Sequence, residues 1–254
     1  MTDAAESHVP AQGTSSSGPP TLWHRHQRLL ASPGYRALAL LDRIKRMSYI
    51  LQRNVVQYTD LVVQLQDPSV VLPILDVTNP DAHDDLLSEA ERLLHNVLTS
   101  MSTRVDQQRV FIKKHFKDRP QVQAEYVEKV TELFHDDPNA AFLKDLRNYI
   151  AHQQLPVAQS LQEWSPTSFS VTFQLPIAPL LQTSKSWSKG VREWLGQLGE
   201  GVPIVKVVRE YASRAEQFDS WLYERVRHEY EDDIAVHLRD RAVYDSDFAR
   251  TLPN

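Results

Sequence analysis

Arg147, Asn148 and His152 are the residues of this chain whose types and spacing could do chemistry together. They stand in the stretch Phe142-Leu143-Lys144-Asp145-Leu146-Arg147-Asn148-Tyr149-Ile150-Ala151-His152, which runs on into Gln153-Gln154-Leu155-Pro156. Arginine carries a permanent charge and a planar fork of donors that fits a phosphate. Histidine titrates near neutrality, so it can take or return a proton at physiological pH. Asn148 precedes His152 by one helical turn, which puts both on one helix face and lets the amide orient the imidazole. Arg147 and His152 are instead roughly 140° apart around the axis of a helix, so one helix alone aims them poorly at a single phosphate. The same residues also have structural uses. A cationic side chain in the last turn of a helix meets the helix dipole favourably. Asn148 can bond backbone at the helix end, and Arg147 can pair with Asp145 or with a neighbouring helix. Tyr149 and Ile150 read as core.

A second set of residues is basic. Arg104, Arg109, Lys113, Lys114, His115, Lys117 and Arg119 form one stretch, diluted by Asp106 and Asp118. Arg109, Lys113, Lys114 and Lys117 are candidates for contacting an RNA backbone, because phosphate contacts need only local Lys and Arg. The alternative is a solvated helix face. The formal charge of the chain is -5, so bulk electrostatics do not draw it onto nucleic acid and any such binding rests on this local patch. The chain has no cysteine, which excludes disulfides, a cysteine nucleophile and thiolate zinc sites. His83-Asp84-Asp85 and His135-Asp136-Asp137 resemble ligand clusters, but both fall around helix starts, where Asp is expected for capping. His24 and His26 lie beside the N-terminal tail. No metal site and no cofactor is expected. With only seven glycines, phosphate-cradling loops are not expected either.

The elements that hold these residues are helices. Ser32-Pro33, Asn79-Pro80 and Asp137-Pro138 each set a capping side chain before a proline at the first helical position, with Arg119-Pro120 and Val202-Pro203 as weaker versions. Leu41, Ile44, Ser48, Leu51, Val55, Tyr58, Val62 and Leu65 alternate steps of three and four, an apolar stripe broken only at Ser48. A second long helix is expected from about Asp81 to Lys117, a shorter third around Tyr126, Val130 and Leu133, and a fourth carrying Phe142, Leu146 and Tyr149 and ending near Gln153. The period then changes. Phe169, Val171, Phe173 and Leu175 alternate with polar residues and predict a strand, with a partner at about Leu155 to Glu163 and a turn at Trp164-Ser165-Pro166-Thr167. Trp187, Val191 and Trp194 predict a short helix, and Trp187, Trp194 and Trp221 read as core or interface anchors rather than base-stacking platforms. Ile204, Val208, Tyr211, Ala215, Phe218, Leu222, Val226 and Tyr230 predict a long helix with the period of bundle packing. The fold class is all-α: an antiparallel bundle of long helices with one inserted β-hairpin at about 155–175. Residues 1–30 are expected as a disordered tail, 31–245 as one helical domain and 246–254 as a C-terminal tail. No secretory signal or membrane span is expected.

The Arg147-Asn148-x3-His152 stretch resembles the signature of the HEPN superfamily: an Arg, a polar residue after it, and a His four to six positions on. The order of long and short helices is also similar to that family, over about residues 35 to 240. Arg109 and His115 also fall within the allowed range of spacings, but only Arg147 is followed by Asn and lies where an amphipathic helix meets a loop. Position 154 is Gln where one variant of the family has Tyr, a departure from the subgroup controlled by tyrosine modification. The resemblance implies metal-independent RNA cleavage in which the 2′-hydroxyl attacks the neighbouring phosphorus and leaves a 2′,3′-cyclic phosphate. It implies His152 as general acid or base, Arg147 as the stabiliser of charge on the phosphate oxygens, and Asn148 as the residue that orients His152. It further implies a homodimer that pairs two motifs, a cytoplasmic stress or defence role as a toxin-like ribonuclease, and an antitoxin or regulatory protein partner. The alternative is a HEPN-like scaffold that binds RNA or protein without catalysis.

Overall fold

The computed structural model describes residues 21–65, 67–74, 80–152, 159–165, 168–182 and 187–251. They form ten helices and three short strands: α1 (Leu22–Ala31), α2 (Pro33–Gln64), α3 (Pro68–Ile74), α4 (Pro80–His115), α5 (Pro120–Phe134), α6 (Pro138–His152), β1 (Gln159–Ser165), β2 (Ser168–Pro176), α7 (Ile177–Gln182), α8 (Lys189–Leu195), β3 (Gly201–Val202), α9 (Ile204–Glu229) and α10 (Glu231–Ala249). The chain is therefore mostly helical with one small sheet. None of the described helices is long and apolar enough to cross a membrane.

Proline sets the helix starts of α2, α4, α5 and α6 as the sequence predicts, and of α3, which it did not; α9 begins one residue after Pro203. The side chain before the proline supplies an acceptor at α2, α3 and α6, whereas Arg119 before α5 makes no side-chain cap. Ser32 Oγ accepts from the Tyr35 N–H, Asp67 Oδ1 from the Ser69 N–H, and the Asp137 carboxylate from the N–H groups of Asn139 and Ala140. Asn79 lies outside the described residues.

The chain divides into two compact units. One comprises Met1–Ala39 with Tyr230–Asn254, the other Leu40–Glu229. In the first unit α1 occupies residues placed in the expected disordered tail. It buries no residue, and Thr21 caps it by accepting from the His24 N–H. Residues 1–20 lie outside the described residues. α10 runs to Ala249, four residues into the expected C-terminal tail, and buries only His237. Gly34 lies so close to the Asp233 carbonyl and His237 Cβ that a methyl group has no room there.

The second unit holds the core. Leu51, Val55, Tyr58 and Val62 of α2 pack with Leu86, Leu94, Val97 and Met101 of α4, Phe142, Leu146 and Tyr149 of α6, and Ile204, Val208, Tyr211 and Ala215 of α9. The spacing stripes read from the sequence are these faces. Against this bundle lies a three-stranded antiparallel sheet in the order β1-β2-β3. β1 and β2 form the expected hairpin, with Ser165 opposite Ser168 and Gln159 opposite Gln174. Residues 155–158 and the turn residues Pro166 and Thr167 lie outside the described residues. β3 pairs Val202 with Leu175, and was not legible because two residues carry no period.

Candidate functional site

The direction of α6 follows from its contacts with α9. Asp137 Oδ2 lies 3.2 Å from Arg214 Nη1, and Asn139 Nδ2 donates to Glu210 Oε2 at 2.6 Å. α6 thus runs antiparallel to α9 and carries its last turn toward the N-terminal end of that helix. The same end gathers α8 and the sheet, since β3 leads directly into α9 and the Ile177 N–H donates to the Glu200 carbonyl.

α6 buries Phe142, Leu143, Leu146 and Tyr149 and turns Arg147 and Asn148 to solvent. Its buried side is tied down by Trp187, whose ring stacks 5.7 Å from Phe142 and 5.4 Å from Tyr149 while its indole N–H donates to the Leu180 carbonyl. Trp187 precedes α8 instead of sitting in the short helix expected to hold it, and with the partly buried Trp194 it acts as a core anchor. Tyr149 is core as expected, and Ile150 packs at the core's margin.

On the exposed side, Arg147 Nη1 donates to Asn148 Oδ1 at 3.4 Å. Among the described residues no carboxylate pairs with Arg147. Asp145, the obvious candidate, is engaged elsewhere: its Oδ2 accepts from the Ser188 N–H at 2.8 Å and so holds the start of α8. Among the described residues Arg147 is exposed and has only Asn148 as a partner. Sequence reasoning missed this division of labour, for which the signal was Ser188 at a helix start with donors in want of acceptors. His152 closes α6, and its side chain lies outside the described ones.

The basic stretch divides. Arg104 is buried and not part of any surface; its guanidinium donates to the Asp219 carboxylate at 2.5 to 3.0 Å and to the Ala215 carbonyl at 3.0 Å, and lies 5.6 Å from the Phe218 ring centre. Gln108 Nε2 adds a third donor to Asp219 at 2.6 Å. Arg119 pairs with Glu229. Arg109, Lys113, Lys114 and Lys117 are exposed, with Arg109 3.5 Å from Asp106 and Lys117 3.7 Å from Asp118. Beside them His115 packs its ring 5.2 Å from Phe111, and its Nε2 is buried with no hydrogen-bond partner. Burial, then the charges of Lys114 and Arg43, hold its pKa below the usual histidine value. His115 is thus a poor cation and adds little to the patch.

These two sets are not brought together. Arg104 and Gln108 meet Asp219 and Arg119 meets Glu229, so the basic end of α4 lies toward the C-terminal end of α9. At 1.5 Å of rise per residue, Arg214 and Glu229 stand about 22 Å apart along α9, and Arg147 lies about 15 Å beyond Asp137 along α6. The exposed cations of α4 and the Arg147-Asn148 pair are separated by roughly 25 to 35 Å along the bundle.

Of the two His-Asp clusters, only Asp137 acts at a helix start; His135 closes α5 and His83-Asp84-Asp85 lie within α4. His83 lies 3.9 Å from Asp84 and His135 3.8 Å from the exposed Asp136, while Asp137 caps α6. Among the described residues no group of three or more His, Asp or Glu side chains could hold a metal ion. Comparison with family models, with curated proteins and with solved structures gives no match to this chain.

Proposed function

We propose that the chain is a metal-independent endoribonuclease of the HEPN type. The observation that carries this reading is Arg147: it is exposed beside Asn148 in the last turns of α6, and among the described residues it has no ion-pair partner, Asp145 being turned to the Ser188 N–H. In the proposed reaction the 2′-oxygen attacks the adjacent phosphorus, the bond from phosphorus to the 5′-oxygen breaks, and a 2′,3′-cyclic phosphate and a 5′-hydroxyl result. His152 takes the proton from the 2′-hydroxyl or returns one to the departing 5′-oxygen. Arg147 binds the non-bridging oxygens, whose charge grows in the transition state. Asn148 fixes the imidazole from one turn earlier. Two copies of the chain supply two motifs, which overcomes the 140° between Arg147 and His152 on one helix. In this reading the protein acts in the cytoplasm, in a stress or defence system, with an antitoxin or regulatory protein as its restraint.

A second reading is favoured by the distance between the α4 cations and the motif. A HEPN-like scaffold that holds RNA or a partner protein without cleaving needs no nearby phosphate binders. Cleavage of a mixed RNA pool in EDTA separates the two readings. Wild-type protein should release fragments ending in cyclic phosphate, His152→Ala should release none and Arg147→Ala far fewer, with thermal unfolding of Arg147→Ala unchanged. Intact RNA with wild-type protein, together with measurable RNA binding, would favour the scaffold.

A further inference from the structure

The outward face of α2 has a pattern that the core does not explain. Leu51, Val55, Tyr58, Val62 and Leu65 point inward and are buried. On the opposite side of the helix stand Tyr49, Arg53, Val56, Asp60 and Val63, at steps of four, three, four and three, the period of a coiled-coil seam. Tyr49 is 65 % exposed, Val56 39 % and Val63 51 %, and Ile50, 53 % exposed, flanks them. A helix face turned to water ordinarily carries polar residues at such positions. Here every other position is apolar, and the two between carry opposite charges. Arg53 and Asp60 are both exposed, and neither has an ion-pair partner among the described residues. They stand about 10 Å apart along the axis, too far to pair with each other within the helix.

We propose that this face docks, antiparallel, on the same face of a second copy of the chain, around a two-fold axis beside Val56. Two-fold symmetry requires a surface complementary to itself, and this seam is. Reversing it about a point between Val56 and Gln57 sets Arg53 opposite the second copy's Asp60, and Asp60 opposite the second copy's Arg53. Tyr49 and Ile50 then come against the second copy's Val63, while the two Val56 side chains meet at the axis. Parallel docking would set Arg53 against Arg53 and Asp60 against Asp60, a like-charge arrangement that selects against it. The assignment concerns association alone and stands whether or not the protein cleaves RNA.

Charge exchange tests it, with sedimentation equilibrium or light scattering of the full chain as the readout. Wild type should give a dimer. Arg53→Asp and Asp60→Arg should each dissociate at about tenfold or more higher concentration, since each places like charges together at both ends of the seam. The double variant, and an equimolar mixture of the two single variants, should recover the dimer, which a loss of folding could not produce. Val56→Glu at the axis should give a monomer with unchanged helical content. A wild-type monomer across the micromolar range overturns the proposal. So does a dimer that none of these variants weakens, and so does weakening by the single variants that neither the double variant nor the mixture repairs.

Discussion

The buried ion pair between Arg104 and Asp219 ties α4 to α9 in the middle of the bundle. Arg104 is 2 % and Asp219 5 % exposed, and three protein groups share the carboxylate's neighbourhood: the guanidinium, the Gln108 amide and the Ala215 carbonyl above the same guanidinium. Desolvating both ions offsets much of their attraction, so the pair is worth more as a fixed register between helices than as net stability. Asp219→Ala leaves a guanidinium buried without a counter-charge and an amide donor without an acceptor. It should cost about 3 to 5 kcal/mol in urea unfolding. Replacing both partners with apolar residues, Arg104→Met with Asp219→Leu, should recover most of that loss. If the single and double variants unfold alike, the pair is not an isolated charged unit. The same logic explains why Arg104 misleads a reader of the sequence. It falls one turn from Gln108 among solvent-facing cations, and only the burial of its neighbour Met101 and the distant Asp219 identify it as interior.

α6 shows how its capping residue and the active face depend on one another. Asp137 accepts from two backbone N–H groups of the first turn and faces Arg214 on α9, so it fixes both the start of the helix and its docking. Asp137→Ala should cost about 1 to 2 kcal/mol, the usual range for a lost cap. Hydrogen exchange should show the amides of Asn139 and Ala140 losing protection first, whereas the exposed Asp136→Ala should leave the protection unchanged. Equal effects from both substitutions would remove the cap as the cause. Prolines after capping residues, and the three-four spacing of the apolar stripes, made α2, α4, α6 and α9 legible before any coordinates. α10 was not, because a helix that buries only His237 leaves no stripe to read, and α1, only ten residues long beside a Ser, Gly and Pro rich tail, was assigned to that tail. β3 is too short for a period. At the site itself, the sequence identified Arg147 and Asn148 on one exposed stretch of helix, but not that Asp145 serves Ser188. That contact spans 43 positions and depends on a loop-to-helix boundary that local spacing does not encode.

The separation of cations from motif shapes what a bound RNA would feel along the bundle. Arg109, Lys113, Lys114 and Lys117 lie roughly 25 to 35 Å from Arg147, a span covered only by an RNA of about ten base pairs or by a comparable extended strand. Under the proposed function their contribution should therefore be a length-dependent one: affinity for long RNA, and none for the chemistry of the scissile phosphate. Lys113→Glu with Lys117→Glu should raise KM for a long substrate, by about tenfold at low salt, and should flatten the dependence of binding on salt. For a dinucleotide, which cannot reach both ends of the bundle, neither kcat nor KM should change. Arg147→Ala should instead lower kcat for both substrates alike, because the phosphate it is proposed to bind is the same in each. Titrating salt with both substrates separates these behaviours in one series. Equal sensitivity of the dinucleotide and the long RNA to the lysine variants would mean that the α4 cations act at the motif, which the path of α4 and α6 along α9 does not allow within one copy of the chain.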